Sequence, residues 1–358
     1  MNGLLGHLKK RIAAEGALDI AQFMEACLSH PEFGYYLHHE PFGVSGDFIT
    51  APEISQMFGE LLGLWAVHQW HAMEKPSKFA LVELGPGRGT LMSDALRAAS
   101  GLPEFIQAMD LHLVETSQRL RAQQKQALPD YQPSWHDTVD TLPEIPLIVI
   151  ANEFFDALPI HQFEFTEHGW LERRVSIDQQ GLEFTPWPPS FSIDTETRNR
   201  TPEVGDIYEV SPLSRQITAA LATRCQAYGG CALLIDYGHE VRGFGDTLQA
   251  VKDHKYAAVL ETPGEADLTA HVDFQALETA ARKVGATTYG ALTQAAFLNT
   301  LGIRERTDAL KARATRDQIK MLVAGRDRLV NADQMGNLFK VMAIANAALP
   351  EPSGFQNL

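Results

Sequence analysis

The sequence has no hydrophobic run long enough to cross a membrane. Its longest purely apolar stretches, such as 147–151 and 231–235, fall far short of the roughly 20 residues a spanning helix needs, so no membrane insertion is expected. No secretory signal is expected either. Lys9, Lys10 and Arg11 lead into a stretch, 12–20, that carries Glu15 and Asp19 and so offers no apolar core for one. No Arg-rich, acid-poor transit segment is visible either. The cysteines are few and odd in number (Cys27, Cys225, Cys231), with no CxxC pair. That speaks against a disulfide framework or a zinc ribbon and for a reducing compartment, and the composition reads as cytoplasmic. There are 13 histidines but no HExxH, and the close pair His68 and His71 has no carboxylate beside it. No metal is expected. Cations are scarce as well: 30 Lys and Arg face 45 Asp and Glu, a formal charge of −15. Such a surface repels a phosphate backbone, so no nucleic acid partner is expected. The locally basic stretch 304–328 is diluted by Asp308, Asp317 and Asp327 and reads as a solvated helix face.

What is present is enough for a large core: 358 residues, 45% of them hydrophobic. Residues 1–75 read as helical. Ile12, Leu18, Ile20, Phe23, Met24, Cys27 and Leu28 are spaced for one helix over 12–28, stopped by His30-Pro31. After glycines at 34, 43 and 46, Thr50-Ala-Pro-Glu53 opens another helix with a capping-box pattern, Pro52 in its first turn. From residue 76 short apolar strands (79–84, 111–115, 147–151, 231–236, 338–344) alternate with helical segments (91–99, 118–128, 212–227, 307–331). This alternation predicts a mostly parallel sheet with helices on both faces. Two segments break it. In 160–210, short antiparallel strands are expected at 163–165, 170–177 and 182–184, and Pro186-Trp-Pro-Pro189 cannot be a central strand. The stretch 238–271 reads as irregular.

The strongest chemical signal is Phe79-Ala-Leu-Val-Glu-Leu-Gly-Pro-Gly-Arg-Gly-Thr90. A strand runs into Glu83 and then into Gly85, Gly87 and Gly89, which let the chain turn sharply and a ligand come close. A dinucleotide fingerprint would place its third glycine at Thr90, one residue later, and a pyrophosphate would gain nothing from Glu83. A cationic ammonium would. S-adenosylmethionine carries an amino group, a carboxylate and a sulfonium, and no phosphate; the plainer alternative is a tight turn with glycines for packing. Glu115 ends the next strand, where a carboxylate can accept from two ribose hydroxyls; alternatively it is a charge at a helix N-terminus beside Thr116 and Ser117. Asp137 falls where a third strand should end and could accept from an adenine amino group, with Trp135 as an apolar wall, or could be an ordinary loop residue. The buried strand at 147–151 stops abruptly in Asn152, Glu153 and Asp156, with Phe154 and Phe155 between them. Polar groups there can face a cofactor and position an acceptor, unless Asn152 merely caps the turn and Glu153 is solvated. The segment 46–56, with Phe48, Thr50 and Glu53, is a candidate lid or substrate element.

Five segments resemble the MidA family of methyltransferases, associated with assembly of mitochondrial respiratory complex I. They are Gly34-Tyr-Tyr36, Gly46-Asp-Phe-Ile-Thr-Ala-Pro-Glu-Ile-Ser-Gln56, Leu84-Gly-Pro-Gly-Arg-Gly-Thr90, Asn152-Glu-Phe-Phe-Asp-Ala-Leu-Pro159 and Leu234-Ile-Asp-Tyr-Gly238. Asp246-Thr-Leu248, Lys252-Asp-His254 and Asp267-Leu-Thr-Ala-His-Val-Asp-Phe274 extend the likeness. The resemblance implies a class I, Rossmann-like α/β methyltransferase domain over 76–358, with insertions near 160–210 and 238–271, and an N-terminal helical cap over 1–75. It implies S-adenosylmethionine as cofactor and a protein arginine as acceptor, which the best-known eukaryotic members convert to symmetric dimethylarginine on a complex I subunit; this chain looks like a bacterial member. Because a guanidinium stays protonated, carboxylates must orient it. Glu153 and Asp156 are the candidate catalytic residues, with Glu53 a further choice. Cofactor contacts are expected from Glu83, Gly85, Gly87, Gly89, Glu115, Asp137 and Asn152. The rival readings are a nicotinamide oxidoreductase on a similar sheet and a methyltransferase-like assembly chaperone without turnover.

Overall fold

The computed structural model describes residues 3–38, 50–179, 181–194 and 200–356. The chain forms two compact units, each assembled from three stretches: residues 1–48, 155–215 and 241–275 in one, and 49–154, 216–240 and 276–358 in the other.

The second unit is built on a sheet whose main path of seven strands runs in the order Thr287–Thr293, Phe339–Ala345, Gly230–His239, Leu147–Asn152, Phe79–Leu84, Met109–Val114, Ser134–His136. The last five run parallel to one another, and Phe339–Ala345 runs antiparallel to both of its neighbours. Every residue of Phe79–Leu84 and Leu147–Asn152 is buried, the pattern of strands covered on both faces. Their adjacency is the switch point of the sheet, because the chain leaves these two strands toward opposite edges. The α/β, mostly parallel arrangement expected from the alternation is what forms.

Residues 50–72 belong with this sheet. The helix Gln56–Ala72 lies against Thr90–Ala99 at backbone distance, and glycine makes that possible. A Cβ on Gly63 would come within 2.3 Å of the Ala95 carbonyl oxygen, and one on Gly59 within 2.9 Å of the Leu91 carbonyl oxygen. Trp65, Trp70, Phe79 and Phe105 fill the core behind them. The capping box read at Thr50 does not form. Thr50 makes no side-chain cap bond, the helix Ala51–Ile54 ends after one turn, and Ser55 recaps the chain for Gln56–Ala72 by accepting from the Met57 N–H. Glu53 is drawn away to other partners, described below. The helical stretch 307–331 resolves into Ile303–Lys311 and Arg316–Val330. The strand Thr287–Thr293 escaped sequence reasoning because it is polar, interrupted by Gly290 and irregular in register between Tyr289 and Leu292.

In the first unit the single helix expected over 12–28 is two, Gly3–Glu15 and Ile20–Ser29. Gly16 breaks it, turning at φ +90°, and Asp19 starts the second helix in a reciprocal capping box with Gln22. Between them Leu18–Asp19 pairs with Val175 and Arg174. The segment read as antiparallel is antiparallel: Gly169–Ile177 pairs with His161–Thr166 on one side and Leu182–Trp187 on the other, and Ile207–Val210 extends the sheet. Pro186 sits in Leu182–Trp187, which among the described residues pairs with Gly169–Ile177 alone, as a proline requires. The stretch read as irregular, 238–271, holds a small sheet of Lys255–Ala257, Gln249–Lys252 and Asp267–Thr269. Its hairpin turns through Asp253 and His254, both at positive φ, a turn without the glycine that would have announced it. All three cysteines are free and buried, and burial pushes the thiols of Cys27 and Cys225 up to about 12. No described helix is long and apolar enough to cross a membrane.

Candidate active site

At the carboxyl end of Phe79–Leu84 the chain reverses through three glycines in the left-handed region, Gly85 at φ +60°, Gly87 at +52° and Gly89 at +84°. The Gly85 N–H donates to the Val114 carbonyl oxygen at 3.0 Å, extending the ladder to the next strand, and the Gly89 N–H closes the turn on the Pro86 carbonyl oxygen at 2.8 Å. A Cβ on Gly85 would also stand 2.9 Å from the Phe154 ring. Gly89 then serves as the left-handed N-cap of Thr90–Ala99.

Glu83 is 3% exposed, and its Oε2 has no hydrogen-bond partner among the described residues. Its neighbours across the sheet are Leu113 and Ile150, so nothing offsets the loss of solvent, and burial pushes its carboxyl up to about 8. Asn152 is 8% exposed; its Nδ2 donates to Glu153 Oε1 at 3.1 Å while its Oδ1, also buried, has no partner among the described residues. Because Glu83 pairs with Ile150 and side chains alternate, Asn152 lies on the same sheet face. Two buried acceptors without donors, on adjacent strand ends at the switch point, call for a donor-only cation. An ammonium fits that set, and a pyrophosphate does not.

The next strand ends in Glu115. Its Oε1 accepts from the Ser117 N–H at 2.8 Å and its Oε2 from Gln124 Nε2 at 3.3 Å. Burial raises its carboxyl above the ordinary value, against those two hydrogen bonds. The contact with Ser117 shows that Glu115 does serve the helix start, as the structural alternative had it; the Gln124 contact is additional. Asp137 is exposed and engaged by Arg121, and the Trp135 indole N–H is turned to Gln124 Oε1 at 2.8 Å.

Glu153 follows directly on the central strand at φ +50°, a conformation that non-glycine residues hold only when their surroundings enforce it. Its N–H donates to the Ile235 carbonyl oxygen at 2.9 Å, and its Oε1 accepts from the Ala51 N–H at 2.9 Å. Glu153 therefore supplies the cap that Thr50 does not. Asp236, fully buried, accepts from the Phe154 N–H at 3.2 Å through Oδ2 and from the Tyr237 N–H at 2.9 Å through Oδ1. Glu53 accepts from Arg88 Nη2 at 2.5 Å and Thr90 Oγ1 at 2.6 Å, tying the glycine turn to the Ala51–Ile54 helix.

Glu83, Gly85, Gly87, Gly89, Glu115, Asn152, Glu153, Thr50 and Glu53 thus all belong to the sheet unit. Asp156 belongs to the other, where its carbonyl oxygen accepts from the Ala270 N–H at 2.9 Å. In that unit the Tyr36 hydroxyl donates to Asp267 at 3.2 Å. Burial, then the charges of Asp267 and Asp156, hold the Tyr36 phenol well above its usual range. Phe48 lies outside the described residues. Sequence reasoning missed Gln124, Arg88 and Asp236. Gln124 had a readable signal: in Gln118–Ala127 it stands four residues after Leu120, a polar side chain on the buried stripe. One group of ligand-type atoms, Asp19, His161 and Glu172, gathers within 4.8 Å in the first unit. Glu172 there already accepts from Arg174 Nη2 at 2.8 Å and from Ser190, so the arginine supplies the cation.

A mostly parallel sheet with this strand order and a glycine turn at its switch point is the architecture of class I S-adenosylmethionine-dependent methyltransferases. The family described as S-adenosyl-L-methionine-dependent methyltransferase matches residues 61–292, and the chain belongs to it. The mitochondrial protein arginine methyltransferase NDUFAF7 of Xenopus tropicalis is 38% identical over 100% of this chain and 90% of its own length. The human protein of that name is 37% identical over 95% of this chain and 83% of its own. A methyltransferase-like protein of Burkholderia thailandensis, solved with S-adenosylhomocysteine, superposes with a TM-score of 0.83 at 26% identity, covering 99% of this chain and 94% of that one. The cofactor is S-adenosylmethionine. The cytoplasmic setting expected from composition is overturned, since these relatives are named mitochondrial proteins. Cysteine usage reports only that a compartment is reducing and cannot tell one reducing interior from another.

Proposed function

We propose that the chain methylates arginine side chains of a protein, with Glu153 as the group that orients the guanidinium. The observation that carries this reading is Glu153 itself. It is a carboxylate held at strained φ at the end of the central strand, its Oε1 fixed by the Ala51 N–H and the Asn152 amide. Fixing one oxygen fixes the plane of the carboxylate, and a planar carboxylate matches a planar guanidinium. S-adenosylmethionine, when bound, supplies an electrophilic methyl group on a sulfonium. Each transfer puts a methyl where the acceptor nitrogen held a hydrogen, so one proton leaves per turnover, and a carboxylate beside the nitrogen can take it. Glu83 and Asn152 hold the cofactor's ammonium, Glu115 its ribose, and the turn at Gly85, Gly87 and Gly89 lets it approach the backbone. Glu53 keeps that turn in place through Arg88 and Thr90. Asp137, engaged by Arg121, is left out of this set. The names of the relatives support a protein arginine acceptor, and the MidA-like segments extend the proposal to a subunit of respiratory complex I.

The test uses Glu153→Gln. The variant should bind S-adenosylhomocysteine like the wild type by calorimetry and lose arginine methylation of a native protein extract by mass spectrometry. Arginine methylation at the wild-type rate would refute the role of Glu153, and methyl groups found on lysine alone would refute the acceptor.

A further inference from the structure

Among the fully buried polar side chains that helices contribute to the sheet unit, Gln124 is one that reaches the glycine turn. Gln124 stands within the helix Gln118–Ala127 and is 0% exposed. Its Nε2 donates to the Gly87 carbonyl oxygen at 2.8 Å and to Glu115 Oε2 at 3.3 Å, and its Oε1 accepts from the Trp135 indole at 2.8 Å. The orientation of the amide follows from its partners. An indole N–H can only donate, so it must meet the amide oxygen, and the two N–H donors then face two acceptors. The three partners come from three elements: the glycine turn, the residue after Met109–Val114, and Ser134–His136. Glutamine is the side chain that answers all three. A glutamate would set an anion against a carbonyl and a carboxylate, and a methionine would leave three polar groups, two of them acceptors, without a partner.

We propose that Gln124 is a positioning residue of the cofactor site, holding the Gly87 peptide and the Glu115 carboxylate in one arrangement so that Glu115 meets the ribose hydroxyls. This rests on the reading of Glu115 as the ribose ligand. The electrostatics agree: burial favours the neutral form of Glu115, and the hydrogen bond from Gln124 is among those that favour the charged acceptor a diol needs. Trp135 fixes the amide from behind through its indole N–H, which gives this aromatic residue of Ser134–His136 a role in the site.

The experiment measures, by calorimetry, S-adenosylhomocysteine against its analogue lacking both ribose hydroxyls. The wild type should prefer the natural compound by roughly 10- to 100-fold, the range of hydrogen bonds to a charged group. Gln124→Met should lose most of that preference while binding the dideoxy analogue nearly as before; a merely structural role would lower both affinities alike and overturn the proposal. Gln124→Glu gives a second reading on a side chain of the same size. Its preference should grow as pH falls, because only a protonated carboxyl at this position can donate to Glu115. A pH-independent preference in that variant would overturn the proposal even if the methionine variant does not fold. Glu115→Ala separates the layers. If it keeps the wild-type preference, the ribose reading falls; if it loses the preference while Gln124→Met keeps it, only the role of Gln124 falls.

Discussion

Two glutamates, one in each unit, are almost equally hidden from solvent and could hardly be treated more differently. Glu172, in the antiparallel sheet of the first unit, is 0% exposed. Arg174 reaches it through Nε and Nη2, the Ser190 hydroxyl donates to it, and His161 lies 3.1 Å away. Burial works to raise its carboxyl, but Arg174, His161 and Ser190 together bring it below the usual value. Glu83, in the parallel sheet of the second unit, is 3% exposed and has burial alone acting on it. A buried charge that the protein itself satisfies is architecture. A buried acceptor left without a donor at a strand end carries a desolvation cost that a bound donor would recover, which is the basis of the role proposed for Glu83.

The largest effect that would sharpen this contrast is a pH dependence. Glu83 has a folded value near 8 against about 4.5 for an ordinary glutamate. The native state therefore holds a proton that the unfolded chain releases, and stability present below about pH 4.5 is lost as pH rises through the folded value. Since each unit corresponds to about 1.4 kcal/mol, the wild type should lose several kcal/mol relative to Glu83→Gln over that window. Urea unfolding of both proteins between mildly acidic and mildly alkaline pH would show it. A difference that stays flat with pH would mean that Glu83 is solvated or paired. Next in size, Arg174→Ala should destabilise the protein by about 3 kcal/mol, the cost of stranding a buried partner, and leave cofactor affinity untouched. If it unfolds at the wild-type denaturant concentration, Glu172 is not held as described. Smallest, Glu53→Gln should cost about 0.5–1 kcal/mol, since Arg88 is partly exposed. It should nonetheless weaken S-adenosylhomocysteine several-fold by loosening the glycine turn. An unchanged affinity would remove Glu53 from the site and leave it a surface ion pair.

The same contrast explains what the sequence made legible. The strands covered on both faces announce themselves as apolar runs, so Phe79–Leu84 and Leu147–Asn152 are visible with their polar ends, and Glu83, Glu115, Asn152 and Glu153 with them. The glycine spacing separated this turn from a dinucleotide loop. Elements defined by pairing rather than composition were hidden. Thr287–Thr293 is polar, and the Asp253-His254 turn lacks glycine. The break at Gly16 was masked by apolar residues that continue on helical spacing through Leu18 and Ile20. Partner choice was hidden too. Thr50 and Glu53 have the chemistry of a capping box, but Arg88, Thr90 and Glu153 compete for the same groups, and that competition exists only once the sheet has formed. Gln124 lay between these cases, a polar residue on an apolar stripe whose partners no local pattern could name.

The central claim is that Glu83 and Asn152 wait for an ammonium. It is tested most directly by titrating the wild type and Glu83→Gln with S-adenosylhomocysteine and with the analogue in which its α-amino group is replaced by hydrogen. The account predicts that removing the amino group costs the wild type at least about tenfold in affinity, as for a hydrogen bond to a charged group. In Glu83→Gln most of that difference should vanish, with the two ligands bound about equally. Equal binding of the two ligands by the wild type, or an undiminished preference in the variant, would contradict it.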